Sequence, residues 1–204
     1  TGSYSTALGY LALSANTASG ITAVGHRALH SNTTGNGNIA IGKDALYTVT
    51  TGNYNIAIGY DALQQNVNSN NTAIGHDAMK VNTTGSRNTA VGGNSLDANT
   101  TGAYNVAIGY NAMSANTTAS NNTAVGQDAM LSNTTGSNNT ALGINAMDAN
   151  TTGAENTAIG AFALDNCTTA SNNTAVGCEA SEKLTTGYSN TTLGFRAGEE
   201  MTTG

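Results

Sequence analysis

Proline and tryptophan are absent from this 204-residue chain, phenylalanine and cysteine occur twice each, and charged residues make up 9%. Ordinary globular domains carry about a quarter charged residues, so this composition argues against one. The chain has only six lysines and arginines against twelve acids, net charge −6, with no basic cluster. Nucleic-acid binding needs such a cluster to meet the phosphates, and none is offered. No apolar run approaches membrane-spanning length, and no secretory leader is recognisable. Disorder requires high net charge and few apolar residues; here 38% of residues are hydrophobic. What remains is a chain rich in Ala, Asn, Thr and Gly, suited to tight stacking.

The abundant residues are periodic. A glycine preceded by an aliphatic residue recurs twelve times, from Gly9 to Gly194, at intervals of 17 or, twice, 16 residues. Numbering each coil from this glycine as position 0, both shortened intervals lose a residue in one place, near Ser19–Ile21 and Ser69–Asn71. A site that tolerates deletion is a surface turn. Such a period predicts a β-solenoid, in which coils bury together what none buries alone. The array covers 1–204 as a single domain of twelve coils. It starts and stops in mid-pattern, so it reads as an excerpt of a longer repetitive chain. At about 4.8 Å per rung, twelve coils form a rod of roughly 58 Å.

Position −1 is always Ile, Val or Leu, position −3 is always Thr, Ile or Val, and position −2 is Ala in every coil but one, where it is Thr192. This alternation predicts one strand per coil. With the larger aliphatic residues turned into the core, Ala40, Ala57, Ala73, Ala90, Ala107, Ala124, Ala141 and Ala158 would form, with the glycines, a flat outer face for self-association. After the glycine the invariant positions are +3 (Ala, once Ser95), +4 (mostly Leu or Met) and +7. That spacing predicts a short helical or 3₁₀ turn, with a second short strand as the rival. The Thr-Thr-Gly that follows then turns the chain back, glycine supplying special backbone angles.

Position +7 is Asn in eight coils but Val49, Cys167, Leu184 and Met201 in the others. A column that exchanges Asn for aliphatic residues is interior. Asn66, Asn82, Asn99, Asn116, Asn133 and Asn150 are therefore predicted to form a buried amide ladder. Cys167 and Cys178 fall in different columns, which predicts no disulfide between them. A longer rhythm overlies the coils: Tyr4, Tyr54 and Tyr104 lie fifty residues apart, as do Tyr10, Tyr60 and Tyr110. Duplication of a three-coil cassette accounts for this, or contacts made at every third rung.

No catalytic constellation emerges. His26, His30 and His76 are scattered among variable columns, and the acids recur singly without a base partner. The glycines keep solenoid period rather than forming a phosphate loop, and the calcium-binding nonapeptide of some β-helices is absent. The reading is a non-enzyme with no metal and no cofactor.

"NTAIG" and "NVAIG", at a fixed period with Gly turns, resemble the head repeats of trimeric autotransporter adhesins. The longer "NTAVG…NTTG" wording is similar to repeats of phage and viral tail-fibre proteins. The resemblance implies an extracellular parallel β-solenoid fibre on a cell surface or virion, commonly a homotrimer, although the adhesin repeat is shorter. The chain is expected to be a structural fibre or filament shaft whose partner is itself, as a trimer or larger filament, without nucleic acid or membrane insertion. A surface glycan is a further candidate partner. The alternative is an ice-binding solenoid, suggested by Thr at +8 and +9 in nearly every coil.

Overall fold

The computed structural model describes residues 3–203. Within them the chain forms twelve three-residue strands, β1 (Thr6–Leu8) through β12 (Thr191–Leu193), in one parallel sheet whose spatial order follows the sequence. Equivalent columns pair throughout: Thr157, Ala158 and Ile159 lie against Thr174, Ala175 and Val176 of the next coil. The shortened coil keeps register, Ile56 pairing with Thr72 and Ile58 with Ile74. The missing residue has been taken from the turn, so each strand still rises onto its neighbour. The result is a parallel β-solenoid with a repeat of about 17 residues, spanning eleven coil-to-coil steps.

The segment after each strand is neither a helix nor a second strand. Positions +2 and +4 both sit in the left-handed region, with φ of 56° at Asp77 and 49° at Met79, and the same pair recurs in every coil. Hydrogen bonds alternate accordingly. In the coil of Gly75, the N–H groups of Ala78, Lys80 and Asn82 close turns onto the carbonyls of Gly75, Asp77 and Met79. Those of Asp77, Met79 and Val81 instead reach Tyr60, Ser95 and Asp97 in the adjoining coils. Every second donor thus joins rungs, as in a sheet, and every other one bends the chain. Invariance at +3, +4 and +7 imitates a helical face, but its cause is that these side chains line the interior of this compact arm.

Glycine at position 0 is required twice over. At Gly126 φ is 139°, and a Cβ there would lie 2.3 Å from the carbonyl oxygen of Gly143. The glycine of Thr-Thr-Gly has a different reason from the special angle expected of it, since among the described residues none of these glycines has positive φ. A Cβ on Gly136 would lie 2.2 Å from the oxygen of Gly153 and 2.6 Å from Asn133 Oδ1. Close approach of coil to coil, not backbone handedness, selects glycine there.

The interior is thin. Ala at −2, Ala at +3 and Leu or Met at +4 fill it, all of them fully buried from the second coil to the eleventh wherever those residue types occur. Two alanine walls leave space for one larger side chain per rung, so a β-branched residue at −2 would overfill it; the exception, Thr192, has Gly198 in place of Leu or Met at +4.

Candidate interaction surface

The thin core reverses the expected orientation of the strand. Ala40, Ala57, Ala73, Ala90, Ala107, Ala124, Ala141 and Ala158 are each 0% exposed and belong to the interior, not to an outer face. The prediction placed the larger aliphatic residues inside because they gain most by burial; the narrow coil admits only a methyl group there. The residues on either side of each alanine are turned outward.

The outer face of the sheet therefore carries two ranks. One is Ile, Val or Leu at −1, half-buried or exposed along the whole rod: Ile41, Ile74, Ile108 and Leu142 retain 37–46% exposure. The other, at −3, is threonine except at Ile39, Ile56 and Val106, exposed in the two end coils and half-buried between them. The hydroxyls of Thr123, Thr140, Thr157 and Thr174 make no hydrogen bond to the chain's described residues. Neither rank contains a charged residue.

Two columns of asparagine run behind this face. In the first, at +7, Asn82 Nδ2 donates to Asn66 Oδ1 (2.8 Å), Asn99 to Asn82 (2.7 Å), Asn116 to Asn99 (2.8 Å), Asn133 to Asn116 (3.2 Å) and Asn150 to Asn133 (2.8 Å). In the second, at −4, the side-chain oxygen of each Asn accepts the backbone N–H of the next, as Asn105 from Asn122 (3.0 Å). The sequence signal for this second ladder was present: Asn fills −4 in ten coils and is replaced by Ile21 in one. That is the same Asn-for-aliphatic exchange seen at +7. The ladders converge on one carbonyl per coil, Gly136 O accepting from both Asn122 (2.9 Å) and Asn133 (3.0 Å). Strand and turn are thus joined across the interior by direct hydrogen bonds.

The +7 ladder breaks where its asparagines run out. Asn32 Oδ1 and Asn150 Oδ1 are buried without a hydrogen-bond partner. They face the rungs of Val49 and Cys167, whose side chains have no N–H to offer. Both cysteines are free; Cys167 is buried, which pushes its thiol up to about 11.

The remaining columns hold their own residues in place. Between the end coils, every threonine at +8 except the exposed Thr50 is half-buried and donates its hydroxyl to the next coil's backbone, Thr134 to Thr151 O at 3.0 Å. The threonines at +9, such as Thr135, are exposed. His26 stacks on Tyr10, His30 on Tyr47 and His76 on Tyr60, so the three histidines form no common site. Arg27 donates to Asp44 at 2.7 Å and holds that carboxyl below its usual range. At +5, Asp148, Asp165, Glu182 and Glu199 follow one another in four successive coils. Burial, reinforced by Asp148 and Glu182 on either side, pushes Asp165 up to about 6. Carboxylate oxygens of Glu179, Glu182 and Glu199 lie within 4.8 Å of one another, with Arg196 paired to Glu179 and Glu199.

The chain matches no protein-family model, no curated protein and no solved structure.

Proposed function

We propose that this chain is a non-enzymatic shaft segment of an extracellular fibre, on a cell surface or virion, and that it associates with further copies of itself through the outer face of its sheet. The observation that carries this reading is the unbroken, uncharged rank of Ile, Val and Leu at −1, set beside the −3 rank. Eleven steps of about 4.8 Å make this strip roughly 53 Å long. Taking a width of about 10 Å, the strip offers on the order of 500 Å², comparable to the largest apolar patches of typical monomers, which are often functional. Two such strips in contact would bury about 1,000 Å², the lower bound for a specific interface. In a trimer about the rod axis, the −3 rank meets one neighbour and the −1 rank the other, and a three-fold ring closes.

Ice binding is the second reading, supported by the four consecutive threonines Thr123, Thr140, Thr157 and Thr174 with unengaged hydroxyls along the parallel sheet. The aliphatic residues at Ile39, Ile56 and Val106 interrupt that rank, which favours protein as the occupant. Light scattering with electron microscopy tests the choice. Oligomeric rods support the fibre reading; a monomer that produces thermal hysteresis in freezing solutions overturns it in favour of ice.

A further inference from the structure

The strip is not uniform along its length. In three coils a tyrosine stands on each side of it, at −5 and at +1: Tyr4 and Tyr10, Tyr54 and Tyr60, Tyr104 and Tyr110. These pairs flank β1, β4 (Ile56–Ile58) and β7 (Val106–Ile108), which stand three rungs apart, roughly 14 Å at sheet spacing. In the second and third of them, position −3 is also aliphatic, Ile56 and Val106, so the segments read "YNIAIGY" and "YNVAIGY". Each makes a belt of four apolar or aromatic side chains on one rung, all half-buried or exposed, where most other rungs carry threonine and a single aliphatic residue.

The rings are held rather than loose. Tyr60 lies between His76 of the next coil (centroids 5.4 Å apart, planes 11° apart) and the Lys43 amine of the preceding one (4.8 Å). The Arg87 guanidinium sits over the Tyr104 ring, 5.2 Å from its centroid. A Cβ on Gly37 would come within 2.7 Å of the Tyr54 ring, and one on Gly93 within 3.4 Å of Tyr110. Rod neighbours therefore cover the faces of the Tyr60 ring, so no open face is left there for a sugar to stack on. Yet Tyr54, Tyr60, Tyr104 and Tyr110 keep 43–66% exposure. Aromatic side chains already fixed in place lose little entropy on binding, and tyrosine is enriched among the anchors of protein interfaces.

We infer that these tyrosine belts set the axial register between parallel copies of the chain, an inference that rests on the self-association proposed above. A second copy is the partner that fits, because it presents the same belts at the same interval; a surface of another period would fall out of step. At zero offset all three belts of two parallel copies coincide. A slip of one or two coils opposes every belt to a coil without one, and a slip of three restores only two.

The test uses the full chain carrying Cys178→Ser and Thr89→Cys, spin-labelled at position 89, which lies on the −3 rank between the second and third belts. Sedimentation gives the association and pulsed electron resonance the label separation. The expected parent is an oligomer with one narrow distance distribution. Replacing Tyr54, Tyr60, Tyr104 and Tyr110 by serine is expected to leave the circular dichroism unchanged and weaken association at least tenfold. It also broadens the label distances by multiples of the rung spacing. An oligomeric variant that keeps the narrow distribution and the parent's affinity overturns the register role and leaves self-association standing. A monomeric parent overturns both.

Discussion

Filling the gap in the +7 ladder at Val49 should cost little or even stabilise the fold, although it places a polar residue in a fully buried site. An ordinary valine-to-asparagine change in a core loses about 1.5 kcal/mol of apolar burial and adds unsatisfied polar groups at about 1–3 kcal/mol each. At position 49 the neighbours reverse the second effect. Asn32 Oδ1 below is buried without a donor, and Asn66 Nδ2 above donates only to Asn68 O, at 2.8 Å. A new amide would donate to Asn32 Oδ1, accept from Asn66 Nδ2 and reach Gly52 O, as its counterparts do elsewhere. One orphaned oxygen is satisfied, about 1–3 kcal/mol, and none is created. The two effects nearly cancel, so Val49→Asn should lie between about 0.5 kcal/mol less stable and about 1.5 kcal/mol more stable than the parent.

Cys167→Asn is the control. It would satisfy Asn150 Oδ1 but present its own oxygen to Leu184, moving the orphan up one rung. With the thiol's apolar contacts also lost, it should destabilise by about 1 kcal/mol. Urea midpoints followed by circular dichroism compare both with the parent. A loss of about 3 kcal/mol or more at Val49→Asn, with Cys167→Asn no worse, would show that the ladder does not govern this column.

Two further outcomes follow from the same geometry. Gly126→Ala should destabilise by about 3 kcal/mol or more, since its Cβ would meet the Gly143 carbonyl and its φ is unsuited to alanine; Gly20→Ala, with φ of 71° but open space around the Cβ, should cost about 1 kcal/mol, as thermal melts would show. Asp165 is raised to about 6 in the folded chain against about 4 unfolded, so its ionisation opposes folding. The melting temperature should therefore rise as pH falls from 7 toward 4, and Asp165→Asn should flatten that rise; a melting temperature that falls over this range, in parent and variant alike, would contradict the assignment.

The repeat, its period, the placement of one strand per coil and the interior asparagines at +7 were legible because each is a matter of spacing. Which face of the strand turned inward was not. Both faces are apolar, and hydrophobicity alone favours burying Ile108 over Ala107. The informative signal was size: a column that accepts almost nothing but Ala has no room to vary, whereas −3 accepts Thr beside Ile and Val. The second ladder at −4 is less plain, because Asn before a strand is also a common turn residue. The alternating left-handed arm was hidden for another reason. Asp44, Asp61 and Asn111 at +2 are of the residue types that favour helix N-caps, yet Asp and Asn are also the residues that most readily take positive φ after glycine.

Everything proposed for this chain depends on which of two adjacent residues faces the solvent, and arginine at each decides it. Ala107→Arg forces a charge into an interior filled by methyl groups, at a cost of several kcal/mol; Ile108→Arg adds one to the outer strip, harmless to a single rod but buried without a partner between rods. Circular dichroism and light scattering on the two variants give the answer. The account predicts that Ala107→Arg fails to fold cooperatively, while Ile108→Arg keeps the parent's spectrum and melts as a monomer. A folded Ala107→Arg beside an Ile108→Arg that assembles like the parent would contradict it.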